Sequence, residues 1–145
     1  MSEKKIIIEA IYLQESNIET PNQLEIFEER ITKIDTDLAC QSGFQNTAID
    51  KEERYEVNLS FQIASKFKNK YLYILNFVQC GLFQIEGYNQ EEVDEVLAVD
   101  CPNMLFPYAR LHANYITTQT GLAPIVMQEI NYKELYYNEI GKTYK

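Results

Sequence analysis

The sequence predicts an α+β domain: a four-stranded antiparallel sheet with a long helix and a C-terminal helix packed on one face. Three observations carry that expectation. From Arg54 to Phe67 the chain alternates, with Tyr55, Val57, Leu59, Phe61, Ile63 and Phe67 apolar and Arg54, Glu56, Asn58, Ser60, Gln62 and Lys66 polar, which is the period of a half-buried antiparallel strand. Lys68-Asn69-Lys70 then turns this strand back into the apolar run Tyr71 to Phe77, so the two form a hairpin. Last, the stretch Cys101-Pro102-Asn103-Met104-Leu105-Phe106-Pro107-Tyr108-Ala109-Arg110 opens a helix that Gly121 ends, and everything before it reads as sheet.

Each further element has its own local reason. Lys5 to Leu13 is a β-branched run with apolar residues on both faces, which implies a strand covered on both sides. Glu15 to Asn22, with two acids and Thr20-Pro21, breaks that strand and begins a connection. Ile31 to Leu38 is a candidate second strand at an edge, since Asp35 and Asp37 lower its propensity. Ala39 to Glu53, with Gly43, Asn46 and Asp50, has no sustained period and reads as a loop, and Gly81 marks the end of the hairpin or a bulge. Asn89 with Glu92 three residues on predicts a short helix over Gln90–Leu97. The prolines place Cys101 and Phe106 in extended or cap-like conformations, with Pro107 in a first turn. Ile125 to Ile130 is extended or irregular, after which Asn131 and Glu134 cap a last helix with Tyr132, Leu135, Tyr136 and Ile140 on one face.

On the long helix Leu105, Tyr108, Leu111, Tyr115 and Ile116 cover one side, and Ala109 and Ala113 continue the apolar arc to the flank. Such a helix wants two partners, its own sheet and a second copy of itself. Ala109, Ala113 and Ile116 are therefore the candidate contact between subunits.

The 145 residues suit one domain, 1–145, which can bury roughly 68–70% of the surface its unfolded chain exposes. No apolar run approaches the ~20 residues that cross a bilayer, and Met1-Ser2-Glu3-Lys4-Lys5 leads into a strand rather than a signal-peptide core, so the chain is expected in the cytoplasm without membrane insertion. Cys40, Cys80 and Cys101 are odd in number and lack close-pair metal spacing, which favours reduced thiols. A net charge of −9 argues against nucleic acid and suits a basic partner or simple solubility.

Little supports an enzyme. His112 is the one histidine and lies within the long helix without a recognisable nucleophile, and no phosphate loop, dinucleotide fingerprint, cofactor motif or metal-ligand cluster occurs. The 11 tyrosines and 7 phenylalanines exceed what a single small core requires, leaving aromatic surface for subunit contacts or adaptable apolar binding.

The stretch from Cys101 to Arg110 closely resembles the signature of the bacterial protein-export chaperone family SecB. Looser likenesses flank it: Ile11-Tyr12, Glu15, Glu19 and Pro21-Asn22 are similar to that family's first strand and following turn, Gly81-Leu82-Phe83-Gln84-Ile85 to its Gly-apolar-Phe-x-Ile segment, and Asn131-Tyr132 with Leu135 to its Asn-Phe and following Leu. The resemblance runs from about Ile6 to Ile140. It implies a cytoplasmic homotetramer, a dimer of dimers, that holds unfolded precursor proteins without nucleotide and hands them to the translocase motor SecA.

Carried across by position, the resemblance makes Glu15 and Glu19 the acids that face SecA and Ile74 an apolar neighbour; Asn76 stands where the family commonly has an acid. The proline usual before the Asn-Phe pair is missing, and the tail after Ile140 is short, without the acidic extension often seen. Leu24, Ile26 and Phe27, set among Glu25, Glu28 and Glu29, are either a cap on the sheet edge or one wall of a client groove floored by Tyr71 and Tyr73. A module dedicated to one partner, such as the antitoxin of a toxin–antitoxin pair, is the alternative function. A small-molecule site would need a closed apolar pocket that the sequence does not specify.

Overall fold

The computed structural model describes residues 3–29, 37–49 and 53–139. The elements in chain order are β1 (Lys5–Glu19), α1 (Gln23–Glu28), β2 (Asp37–Ala48), β3 (Arg54–Phe67), β4 (Lys70–Glu86), α2 (Gln90–Glu95), a π turn (Val96–Asp100), α3 (Cys101–Thr118) and α4 (Tyr132–Glu139). The four strands form one sheet in the order β1-β4-β3-β2, and every neighbouring pair is antiparallel. The α+β class and the helix-on-sheet arrangement are those the sequence predicts.

Alternation decides which side of the sheet is core. Residues directly opposite in the ladder share a face, and Leu59↔Gln79, Phe61↔Phe77 and Ile63↔Leu75 place the odd-numbered side chains of β3 and β4 together. On that face Val57, Leu59, Phe61, Ile63, Leu75, Phe77 and Phe83 are all at most 3% exposed. Each such side chain contributes about 1.5–3 kcal/mol relative to exposure. The hairpin between β3 and β4 closes through Lys68 (φ 48°) and Asn69 (φ 67°), two consecutive left-handed residues, as the tight turn that matches strand twist requires.

The helices lie on this apolar face. Leu105, Phe106, Ala109, Ala113 and Thr117 of α3 are buried, with the Phe106 ring 6.2 Å from Phe61 and the His112 ring edge-on to Phe77 at 4.9 Å. Gly81 sits in the middle of β4 rather than at its end, and no bulge interrupts the ladder there. Its role is room: a Cβ at Gly81 would stand 2.7 Å from Leu105 Cδ2, so only glycine lets α3 come this close to the sheet.

The two prolines do not interrupt the helix, contrary to the local expectation. α2, the π turn and α3 run without a break from Gln90 to Thr118, and Cys101 is helical (φ −65°, ψ −48°). Helix α2 starts on the predicted capping box, where Asn89 Oδ1 accepts from the Glu92 N–H at 2.9 Å and Glu92 accepts from the Asn89 N–H at 3.0 Å. At the wider turn the Cys101 N–H reaches back to the Val96 carbonyl, five residues earlier, which makes space for the Pro102 ring. Pro107 lies inside α3, and both it and Asn103, whose carbonyl it leaves without a helical donor, face solvent.

Three more expectations are corrected. Strand β1 continues through Glu15 to Glu19 because pairing with β4 holds it, and it is an edge strand with Ile7, Ile8, Tyr12 and Leu13 exposed rather than covered on both sides. The stretch read as a loop from Ala39 is β2, held by an unbroken register from Asp37↔Lys66 to Ala48↔Tyr55; tertiary pairing overrides its weak strand propensity. Of the candidate strand Ile31–Leu38 only Asp37 and Leu38 fall within the described residues, and Ile140 of the last helix lies outside them.

Behind Thr118 the chain turns at Gly121 (φ 82°) and returns along α3. The Arg110 Nε–H donates to the Met127 carbonyl at 3.1 Å and Asn114 Nδ2 donates to that of Ile125 at 3.0 Å. The buried Thr117 hydroxyl donates to the Ala113 carbonyl at 2.7 Å and accepts from the Ile125 N–H at 2.9 Å. These clips deliver the chain to Asn131, whose side chain caps α4 by accepting from the Glu134 N–H at 3.0 Å.

Candidate functional site

The sheet face away from the helices carries the predicted docking residues together. Its register sets Glu15 opposite Val78, Asn17 opposite Asn76 and Glu19 opposite Ile74. A β-bulge between Leu13 and Glu15 makes this possible. An unbroken ladder would aim Glu15 at the helix side, and the extra residue moves the end of β1 by one position, turning both acids outward. Glu15 and Glu19 are exposed, Ile74 and Asn76 half-buried. Beside them lies a hollow of about 400 Å³ of mixed lining, with Glu15, Gln41, Gln62 and Asn76 beside Phe61 and Val78. Further along the same face Asn58 donates to Gln14 and to the Cys80 sulfur, each at 3.0 Å, and Tyr12 donates to Glu56, which lifts the Tyr12 hydroxyl's pKa to about 12.

The five candidate groove residues divide. Helix α1 turns Ile26 into the core at 0% exposure and leaves Leu24 and Phe27 at 73% and 48%. Tyr73 is also core, and burial pushes its hydroxyl up to about 12. A wall built from all five is therefore corrected: Ile26 and Tyr73 pack inward, and only Leu24, Phe27 and the half-buried Tyr71 offer surface. Helix α1 is held by Asn22 Nδ2 donating to the Tyr71 carbonyl at 3.2 Å, by Lys70 bridging Glu25 and Glu29, and by Phe27 lying over Gly121, where a Cβ would be 2.6 Å away.

The three candidate subunit-contact residues lie mostly inside the fold. Ala109 and Ala113 are 0% exposed, because small side chains are what lets α3 seat on the sheet, and they face this chain's own core. Ile116 is half-buried. The exposed apolar side of α3 is Tyr108, Leu111 and Tyr115, and it runs on across Ile11, Tyr12 and Leu13 of β1 around an apolar groove of about 480 Å³. The helical spacing of these three residues was visible in the sequence; which side of the arc met the sheet was not.

A second groove, of about 370 Å³, opens between β2 and α4, lined by Ser42, Phe44, Ala98, Tyr132, Leu135 and Tyr136. Sequence reasoning missed it because β2 itself was missed. His112 lies where α3 crosses β1, with Nε2 2.8 Å from the Ser16 hydroxyl, and desolvation lowers its pKa. Cys101 is buried and its thiol is pushed up to about 12 by that burial, which leaves no reactive thiolate there. Among the described residues no group of three or more His, Cys, Asp or Glu is placed to hold a metal ion, and no helix is long and apolar enough to cross a membrane.

Residues 1–143 match the family model described as preprotein translocase subunit SecB. The protein-export protein SecB of Nitrosospira multiformis is 33% identical over 136 residues, 94% of this chain and 83% of that protein. The SecB of Chromobacterium violaceum is 34% identical over 133 residues, 91% of this chain and 85% of that one. Among solved structures, the Mycobacterium tuberculosis SecB-like chaperone Rv1957, in complex with a peptide of the HigA1 antitoxin, superposes with a TM-score of 0.68 at 16% identity, covering 86% of this chain and 90% of that one, a likeness of fold. With the signature helix, the four-stranded sheet and a match over nearly its whole length, the chain belongs to the SecB family of protein-export chaperones.

Proposed function

We propose that this protein is a cytoplasmic holdase that keeps precursor proteins unfolded and passes them to the export motor SecA. The observation that carries this reading is the division of the surface into apolar grooves and an acidic sheet face, on a chain of the SecB family. A holdase needs no nucleotide. Each client side chain of Leu or Phe size that enters a groove contributes about 1.5–3 kcal/mol before ordering costs, so single contacts are weak and exchange quickly. A chain touching several grooves gains avidity because each later contact is intramolecular. Glu15 and Glu19, beside Ile74 and Asn76, supply the charge that attracts a basic segment of SecA, and that attraction weakens with salt.

Assembly follows from the exposed apolar surface. The tract from Ile8 and Leu13 of β1 to Leu111 and Tyr115 of α3 is the kind of area a permanent interface covers, and we place there the self-contact of a homotetramer. The alternative client is one dedicated partner, as in the Rv1957 complex with its antitoxin peptide. Purifying the protein with its bound polypeptides decides: many unrelated precursors support the export role, and one neighbour-encoded protein sinks it.

A further inference from the structure

Four carboxamides stand in one line across the outward face of the sheet. The ladders set Asn17 opposite Asn76, Asn76 opposite Gln62 and Gln62 opposite Gln41, so the row crosses all four strands from β1 to β2. Asn17, Gln62 and Gln41 are exposed and Asn76 is half-buried, and among the described residues none of the four side chains hydrogen-bonds to another group.

The row next to it is low. Glu15, Val78, Ser60 and Gly43 stand opposite one another in turn, and a Cβ on Gly43 would already lie 2.6 Å from the Ser60 Oγ. This row floors the hollow of about 400 Å³, with Asn76, Gln62 and Gln41 as one wall and Glu15 at its β1 end. Phe61 and Phe77 border the hollow with their main chain and turn their rings into the core, so its apolar side chain is Val78. The charges of the two rows lie at one end only: Glu15 and Glu19 flank Asn17 along β1, while Gln41, Gly43, Ser60 and Gln62 are neutral.

A carboxamide carries the same donor and acceptor as a peptide group, so this wall can bond to a main chain of any sequence, and salt screens such bonds far less than it screens exposed charges. Neighbouring strands lie about 4.8 Å apart and an extended chain rises about 3.3 Å per residue, so two strand spacings match about three residues. Asn76 and Gln41, two strands apart, are therefore spaced to meet peptide groups three residues apart.

We propose that the docking partner lays an extended segment across the strands, lengthwise in this hollow, with a basic residue at Glu15 and Glu19, its main chain along Asn76, Gln62 and Gln41, and one apolar side chain on Val78 above Ser60 and Gly43. This rests on the SecA docking proposed above and adds what two acids do not supply, a direction and a specificity: a cation, followed two or three residues on by an apolar side chain. The acids govern the partner's arrival and its salt dependence, and the amide wall governs how long it stays. A second copy of the chain is a poorer occupant, because the wall is polar and Val78 offers little of the apolar area that a permanent contact covers.

The test titrates the full chain with purified SecA at low and high salt. Gln41→Ala with Gln62→Ala, on the two strands farthest from the acids, should lower affinity about tenfold at both salt concentrations while Tm holds. Ser60→Leu, which fills the hollow, should lower it several-fold, and Glu15→Lys with Glu19→Lys should instead flatten the salt dependence. Unaltered SecA affinity in the glutamine pair confines docking to the acidic corner and overturns the proposal while SecA docking stands. A loss in that pair that vanishes at high salt, or that merely follows a fall in Tm, overturns it too. Unaltered affinity in Ser60→Leu removes the apolar part. If the unsubstituted protein does not bind SecA at either salt concentration, the docking function falls as well. Should the glutamine pair spare SecA affinity and change client holding or the assembly mass in light scattering, the face belongs to a client or to a second copy, and the proposal is wrong.

Discussion

The two faces of the sheet are built from the same strands under opposite rules. On the helix side, Leu59, Phe61, Ile63, Leu75 and Phe77 form a dry core in which each side chain's volume matters. On the other side Ser60 and Gln62 are exposed and Asn76 is half-buried, so that face is specified by where its charges point rather than by fit. A change on the first face should therefore be read out as stability, and one on the second as binding.

Ala113→Arg tests that division hardest, because it buries an unpaired charge where α3 meets the sheet. We expect a loss of more than about 4 kcal/mol, seen as failure to fold or a collapsed Tm. Leu111→Arg, on the exposed side of the same helix, should instead lower the assembly mass in light scattering while the fold persists; an unchanged mass would move the self-contact elsewhere. Next, Phe77→Ala should cost ~3–5 kcal/mol by leaving a cavity between Phe61 and His112, whereas Gln62→Ala on the open face should stay within about 0.5 kcal/mol by thermal unfolding.

The double change Glu15→Lys and Glu19→Lys should leave Tm and client holding nearly as they are and weaken SecA binding most at low salt. Equal affinities in a titration would remove the acidic docking role. The smallest effect is His112. Desolvation lowers its pKa in the folded state, so the unfolded chain binds the proton more readily; the stability this contributes is full above about 6.5 and is lost as pH falls through and below that value. His112→Asn should flatten the change of Tm between pH 7 and about 5.5, and an unaltered slope would show that carboxylates alone set it.

The core face was legible because alternation in β3, the Lys68-Asn69 turn and the apolar run of β4 all point to one hairpin. The Asn89 cap was legible for the same reason: a local signal with a local partner. What escaped were features set by distant partners. Strand β2 exists through its pairing with β3, and the aim of Glu15 depends on one extra residue at Gln14, so no period in the sequence reports either. Of the candidate site, the acids and the aromatic surplus were readable. The inward packing of Ile26, Tyr73, Ala109 and Ala113 was not, since an apolar arc does not say which of its sides the sheet will take.

The hydrogen-bond clips from Arg110, Asn114 and Thr117 end on main-chain atoms of Ile125 and Met127, and Arg110 adds an ion pair to the exposed Glu129 at 3.7 Å. Helix α3 thus measures the length of the returning segment and is indifferent to most of its composition. Val126 and Gln128 are exposed and can be exchanged freely, while one residue added or removed between Gly121 and Asn131 would shift α4 along β2 and misalign the groove they share. The surface offered to clients can therefore drift in sequence while its spacing stays fixed by a ruler written into the signature helix.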